Sequence, residues 1–176
     1  MNSRRSDATA LDWWGALFIA VVGTAWHFVY AWSGQIALIG WIAPVSESVW
    51  EHTKLVAVPS LMWNAIAASR LPHRERLAWA SFVEACTGPV VMVLGFYAYT
   101  SVLHRGWFVM DIAVFALAIA SGRFANHYTR EGSRRVPGPL PSSLLIAALL
   151  AGYVVLTIAP PDLPPFRLPP AGYYDH

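Results

Sequence analysis

The sequence predicts an all-α fold: an integral membrane bundle of five transmembrane helices, with the N-terminus cytoplasmic and a C-terminal tail outside. Composition is the first reason, since 56% of the 176 residues are apolar and only 12% are charged, a balance that excludes an ordinary soluble domain. The second is length. A hydrocarbon core about 30 Å thick takes roughly 20 apolar residues per helix, and five stretches approach that. The third is the uneven placement of arginine between the two sides of the membrane.

The first stretch, Leu11 to Trp32, is long, carries tryptophans at both ends and lacks a small-residue cleavage pattern. It reads as a retained first helix rather than a signal peptide. Ser33 to Val45 is apolar but Gly-interrupted and too short to span, so it is expected to dip into the outer interface as a hairpin shielded by protein, a lid over the polar cluster that opens the second span. Ser48 to Ala68 and Leu77 to Leu103 are the second and third spans. Pro59 and Pro89 each remove a backbone hydrogen bond within them. Gly88 and Gly95 share roughly one face with Glu84, which favours close helix contact beside that carboxylate.

Trp107 to Asn126 is the fourth span, and Ser142 to Ala159, short for the purpose, is the fifth. The basic connection from Arg123 to Pro141 between them is expected to touch anionic lipid headgroups. Residues 1–160 form a single helical domain on this reading. Residues 161–176 form an extended, proline-rich tail that packs across the outer face on Phe166, Tyr173 and Tyr174. The single cysteine, Cys86, excludes an internal disulfide framework and a thiolate cluster.

Five spans place Arg4, Arg5, Arg70, Arg74, Arg76, Arg123, Arg130, Arg134 and Arg135 on one side of the membrane. Arg105 and Arg167, with Lys54 just inside a helix, fall on the other. The positive-inside rule makes the first side cytoplasmic. A net charge of only +2 and the lack of an aromatic-interleaved basic platform argue against nucleic acid.

Chemistry concentrates at Pro44 to Lys54, PVSESVWEHTK, where ionisable groups open the second span. Such groups inside a membrane are costly and mark function by default. An architectural account is available: Ser48 and Glu51 match a capping box, with Ser46 a competing N-cap. Glu47 and Glu51 complement the helix dipole, and Glu51 and Lys54 can pair. Helical spacing puts Glu47, Glu51 and Lys54 on one stripe, with Ser48 and His52 on its neighbour. Capping does not account for His52.

Depth, at about 1.5 Å per helical residue, brings His27, Glu47, Ser48, Glu51, His52, Lys54 and Asp111 to the outer half of the membrane, with Glu84 in a separate inner position. His27, His52 and Asp111 come from three helices, as a site inside a bundle requires. Two chemistries fit. His27 and His52 with a carboxylate from Glu51, Glu47 or Asp111, of which Asp111 comes from a third helix, suit a divalent metal such as zinc, iron or manganese. Alternatively, Glu51, His52 and Glu47 act as catalytic acid and base. Ser48, Lys54, Trp50 and Tyr97 are the expected substrate contacts. His73, His104, His127 and His176 read as surface residues.

The run Pro44, Val45, Ser46, Glu47, Ser48, Val49, Trp50, Glu51, His52 and Lys54 resembles the signature of an uncharacterised family of small polytopic bacterial membrane proteins. The likeness extends from His27, Tyr30, Trp32, Ser33 and Gly34 through Pro59 to the tail. It implies a place in the bacterial cytoplasmic membrane and supplies no activity. The function expected is thus an outward-facing Glu/His site acting on a lipid-soluble or small periplasmic molecule. The alternative is a non-enzymatic subunit or permease component in which the motif is structural. Membrane lipid is the expected partner, with a protein partner or a second copy left open.

Overall fold

The computed structural model describes residues 2–70, 74–170 and 173, apart from the side chains of residues 2–9 and 74. Expectations for Arg4, Arg5, His73, Arg74, Tyr174 and His176 lie outside that description. Regular structure among the described residues is entirely helical, with no strand: α1 (Asn2–Trp32), α2 (Ala37–Gly40), α3 (Val49–Ala67), α4 (Arg74–Leu103), α5 (Phe108–Glu131), α6 (Pro139–Ile158) and a 3-10 turn at Pro164–Phe166. Four of these, α1, α4, α5 and α6, are long and apolar enough to cross a membrane. The 19-residue α3 is not among them. Its Glu51, His52, Lys54 and Asn64 dilute an otherwise apolar helix.

Packing follows from which helices carry small residues. Helices α3 and α4 lie side by side, α5 packs along α4, and α1 closes against both α3 and α5. The core where they meet is apolar, with Ile19, Val56, Met92, Val114 and Ala118 buried. Gly88 admits Val56 between α4 and α3: a Cβ there would stand 2.5 Å from its Cγ1. Gly23 on α1 is tighter, since its Cβ would stand 2.4 Å from the Leu55 carbonyl oxygen of α3. Pro59, four residues on, has no amide to give that carbonyl. The glycine therefore lies against a backbone oxygen left without its helical donor, where a Cα–H contact is favourable.

Helix α6 is peripheral. Only Ser142 and Tyr153 are buried, and Tyr153 meets Trp50 of α3 at 5.1 Å between ring centroids.

One expected boundary changes substantially. The basic connection starting at Arg123 is instead helix: α5 runs on to Glu131, and Arg123 and Arg130 are buried. Acidic and amide side chains pair with both, Asp12 of α1 with each of them, so they behave as core residues rather than loop charges.

The hairpin between α1 and α3 also takes a different role. It holds the single turn α2, and its Gly40 and Ala43 carbonyls accept hydrogen bonds from Lys54 Nζ at 3.1 and 3.3 Å. It packs on α3 instead of forming a lid. The tail does the covering: Phe166 packs tilted on Trp50 with ring centroids 4.9 Å apart, and the Tyr173 carbonyl accepts from the Gly106 amide at 3.0 Å.

Candidate functional site

Ser48 fixes the local geometry. It is the N-cap of α3, extended at φ −71°, ψ 150°, and its hydroxyl accepts from the Glu51 amide at 3.3 Å. Glu47 therefore precedes the helix, and the helical stripe joining it to Glu51 does not exist. Its side chain turns to the opposite side of α3, where Oε2 lies 3.4 Å from His52 Nε2 and Oε1 lies 3.6 Å from His27 Nε2. The His52 ring holds the Glu47 carboxyl below the usual carboxylate range, chiefly through that hydrogen-bonding contact. The two imidazoles face each other with centroids 5.1 Å apart.

The tautomer of His52 follows from its other nitrogen. Nδ1 is 2.9 Å from the Ser48 carbonyl, which can only accept, so Nδ1 carries a proton. In the neutral ring Nε2 is then a lone pair aimed at a carboxylate. Two acceptors held face to face call for a cation between them, a proton or a metal ion. His27, Glu47 and His52 each offer a ligand atom, all within 4.8 Å of one another. Ligand bonds of about 2.1 Å in a tetrahedron put neighbouring donor atoms about 3.4 Å apart. The two histidine–glutamate separations are of that order, each made to a different oxygen of Glu47. Nδ1 of His27 is buried without a hydrogen-bond partner.

The cluster forms one wall of a cavity of about 920 Å³. Thr24, His27 and Phe28 line it from α1, His52 and Leu55 from α3, and Phe108, Asp111, Ile112 and Phe115 from α5. Leu168, Pro169, Pro170 and Tyr173 of the tail also line it. A smaller chamber of about 110 Å³ adjoins it beside Val49, Met92, Phe96 and Val114. Asp111 borders both spaces together with Glu47 and His52, and accepts a hydrogen bond from the Tyr99 hydroxyl. It faces the cluster without joining the close ligand set, whose carboxylate is Glu47.

The remaining expected site residues lie elsewhere. Glu51 is buried and accepts from the Val45 amide at 2.9 Å, Lys54 Nζ at 2.8 Å and Thr157 Oγ1 at 3.0 Å. Lys54 also donates to Thr157 Oγ1 at 2.6 Å. The pair ties the hairpin and α6 to α3. Trp50 sits between Tyr153 and Phe166, and Tyr97 packs edge-on against Phe96. Ser48, Trp50, Glu51, Lys54 and Tyr97 line neither cavity. The physical reason is the 100° step of a helix: Val49, His52 and Leu55 share the cavity face of α3, which turns its intervening residues away.

Sequence reasoning set Glu84 apart but missed the polar assembly that surrounds it near the other end of the bundle. The buried Glu84 carboxylate accepts from Asn64 and Asn126 at 2.8 Å and from Arg123 Nη1 at 3.1 Å. Arg123 Nη2 reaches Asp12 on α1 at 2.7 Å. Arg130 pairs with the same carboxylate oxygen at 2.6 Å, and His127 with its neighbour at 2.6 Å. Gly15 makes room, since a Cβ there would stand 2.9 Å from the Arg123 guanidinium carbon. The available signal was the spacing of Arg123, Asn126 and Arg130, which places them on one face of a helix, with Asp12 as an acid beside an apolar run.

An all-helical chain with four helices able to cross a membrane, and a histidine–glutamate cluster facing an apolar cavity, has the make-up of a membrane protein. The chain belongs to a family of unknown function (DUF6512), whose profile matches residues 3–175. Neither a curated protein nor a solved structure matches it.

Proposed function

We propose that this is a five-span protein of the bacterial cytoplasmic membrane that holds a divalent transition metal between His27, Glu47 and His52. On this reading α3 is the fifth span, its polar residues satisfied by neighbours. The N-terminus is cytoplasmic, residues 1–160 form one helical domain, and the tail at 161–176 lies outside. The observation that carries the proposal is the convergence of His27 Nε2, the Glu47 carboxylate and His52 Nε2, with His52 Nδ1 held by the Ser48 carbonyl. A backbone carbonyl on the second ring nitrogen is the usual support of a metal-bound histidine.

Three protein ligands leave a tetrahedral ion one open position, the pattern of a catalytic rather than a structural zinc. That position would polarise a substrate carbonyl or lower the pKa of a bound water. Asp111, on the α5 side of the same cavity, would accept the proton. Glu51 and Lys54 have architectural roles.

The test is elemental analysis of purified protein. About one zinc-class ion per chain is expected in the wild type and in Trp50→Phe, and its loss in His27→Ala and His52→Ala. A wild type that binds no metal after zinc is supplied would overturn the reading. The rival, a membrane subunit or permease component, draws on the Glu51–Lys54–Thr157 lock, which makes part of the motif structural. Co-purification of a partner with a metal-free chain would favour it.

A further inference from the structure

We infer that the cavity takes a membrane-resident amphiphile with a long apolar chain and a single uncharged polar end, entering from the bilayer between α1 and α5. The inference rests on the membrane-spanning metal site proposed above and adds the class of molecule it serves.

The shape of the cavity sets the entry route. Its back wall is α3, and its covering is the tail, held at one end by Phe166 on Trp50 and at the other by the Gly106–Tyr173 hydrogen bond. The α1–α5 side is different. Phe28, Phe108 and Ile112 line the cavity and are 47%, 70% and 52% exposed, so this side opens between two helices that are each long and apolar enough to lie in a membrane. Near the opposite end the same two helices are fastened through Asp12, Arg123 and Arg130. The gap is a cleft closed at the bottom and open sideways.

The lining sets the polarity of the occupant. Polar groups gather at the His27–Glu47–His52 wall and at Asp111, and Phe28, Leu55, Ile112, Phe115 and Leu168 supply much of the remaining surface. A molecule polar at one end and apolar along the rest matches that division. A volume of about 920 Å³ lies near the upper end of the roughly 300–1,000 Å³ range of small-molecule sites.

Charge narrows the polar end further. Among the described residues, no lysine or arginine lines the cavity. Lys54 is committed to Glu51, and Arg167 to Asp162 at 2.7 Å. Glu47 and Asp111 face the cavity with no lysine or arginine to offset them, so a phosphate or carboxylate head meets like charge without the arginine fork that recognises such groups best. A hydroxyl or carbonyl head can instead ligate the ion through oxygen, and a hydroxyl can also donate to Asp111.

The full chain in phosphatidylcholine nanodiscs distinguishes the possibilities with two photoactivatable probes of equal chain length, a diazirine-bearing hexadecanol and the corresponding hexadecyl phosphate. Mass spectrometry would locate the adducts and metal content would be read on the same samples. The alcohol is expected to label the cavity walls on α1 and α5 about tenfold more than the phosphate, a difference of about 1.4 kcal/mol. Ile112→Trp, which narrows the gap, is expected to reduce the labelling, and Phe28→Ala, which widens it, to raise it, both with metal retained. Equal labelling by the phosphate, competition by butanol as effective as that by hexadecanol, or insensitivity to both substitutions would overturn the inference. Metal present without cavity labelling would sink this inference alone. Cavity labelling without metal would sink the metal reading and leave the class of occupant standing.

Discussion

Arg130 and Asp12, 118 residues apart in the chain, are joined by a 2.6 Å ion pair that fastens α5 to α1. At 1.5 Å per residue, Asp12 lies about 22 Å along α1 from His27, so the pair closes the bundle far from the metal-ligand cluster. Asp12 also holds Arg123, and Arg123 holds Glu84. The charges balance only as a set. Removing one member of a buried ion pair costs more than the pair contributes, because the partner stays desolvated. Asp12→Ala is expected to destabilise the protein by about 3–5 kcal/mol, measured by unfolding in detergent micelles. Asp162→Ala, which removes the exposed partner of Arg167, should leave the unfolding transition where it is.

The charges of PVSESVWEHTK divide between two faces, and the two halves should fail differently. Lys54 is fully buried and Glu51 nearly so. Glu51→Ala leaves an uncompensated ammonium among the Gly40 and Ala43 carbonyls, and is expected to cost about 3–5 kcal/mol. Glu51→Leu combined with Lys54→Met should recover much of that loss, since replacing a buried pair by apolar side chains is often close to neutral. Neither change alters the ligand set, so protein that folds should still bind zinc. Titration of the double variant checks this; lost zinc affinity in a folded protein would return Glu51 to the site.

Acid should leave the Glu47 contribution intact until the carboxylate range is reached. The His52 contact lowers the folded-state pKa of Glu47. A depressed folded pKa stabilises above the unfolded value, about 4.3 for glutamate, and that stability is lost as pH falls through the folded value. With metal removed by chelation, the Tm difference between wild type and Glu47→Gln should still be present at about pH 5 and shrink below that. A difference already gone by about pH 6 would contradict it.

Much of this architecture was legible in the sequence because a membrane imposes length and apolarity that composition reveals directly. His27, Glu47 and His52 were also legible as ionisable groups at one depth. Which carboxylate joins the two histidines was not, because moving the helix start from Glu47 to the Ser48 cap changes which side Glu47 faces. The lower network was hidden for another reason: a buried, paired arginine and a loop arginine look alike in sequence. Arg123 and Arg130 are distinguished only by partners on other helices, Asp12 lying more than a hundred residues earlier. Phe166 and Tyr173 were legible as anchors of the tail, whereas its place over the cavity depends on the partners they meet elsewhere in the chain.

The tight contact of α1 with α3 at Gly23 should govern metal affinity more than stability. His27 follows Gly23 by four residues and so lies one turn along the same face, while Leu55, whose carbonyl Gly23 touches, lies one turn beyond His52. A methyl group at position 23 would meet that backbone oxygen at 2.4 Å, and backbone cannot rotate away. Gly23→Ala must therefore push the helices apart, at an overpacking cost of about 1–3 kcal/mol. The same shift moves His27 away from Glu47 and His52, and ligand sets tolerate only about 0.5 Å of displacement. Zinc affinity is expected to fall by about tenfold or more, measured by competition with a chromophoric chelator. Gly152→Ala on α6 is the control, because an added Cβ there meets nothing within 4 Å; it should leave affinity unchanged and improve helix stability slightly. Wild-type zinc affinity in Gly23→Ala would show that the helix spacing at Leu55 does not set the geometry of the site.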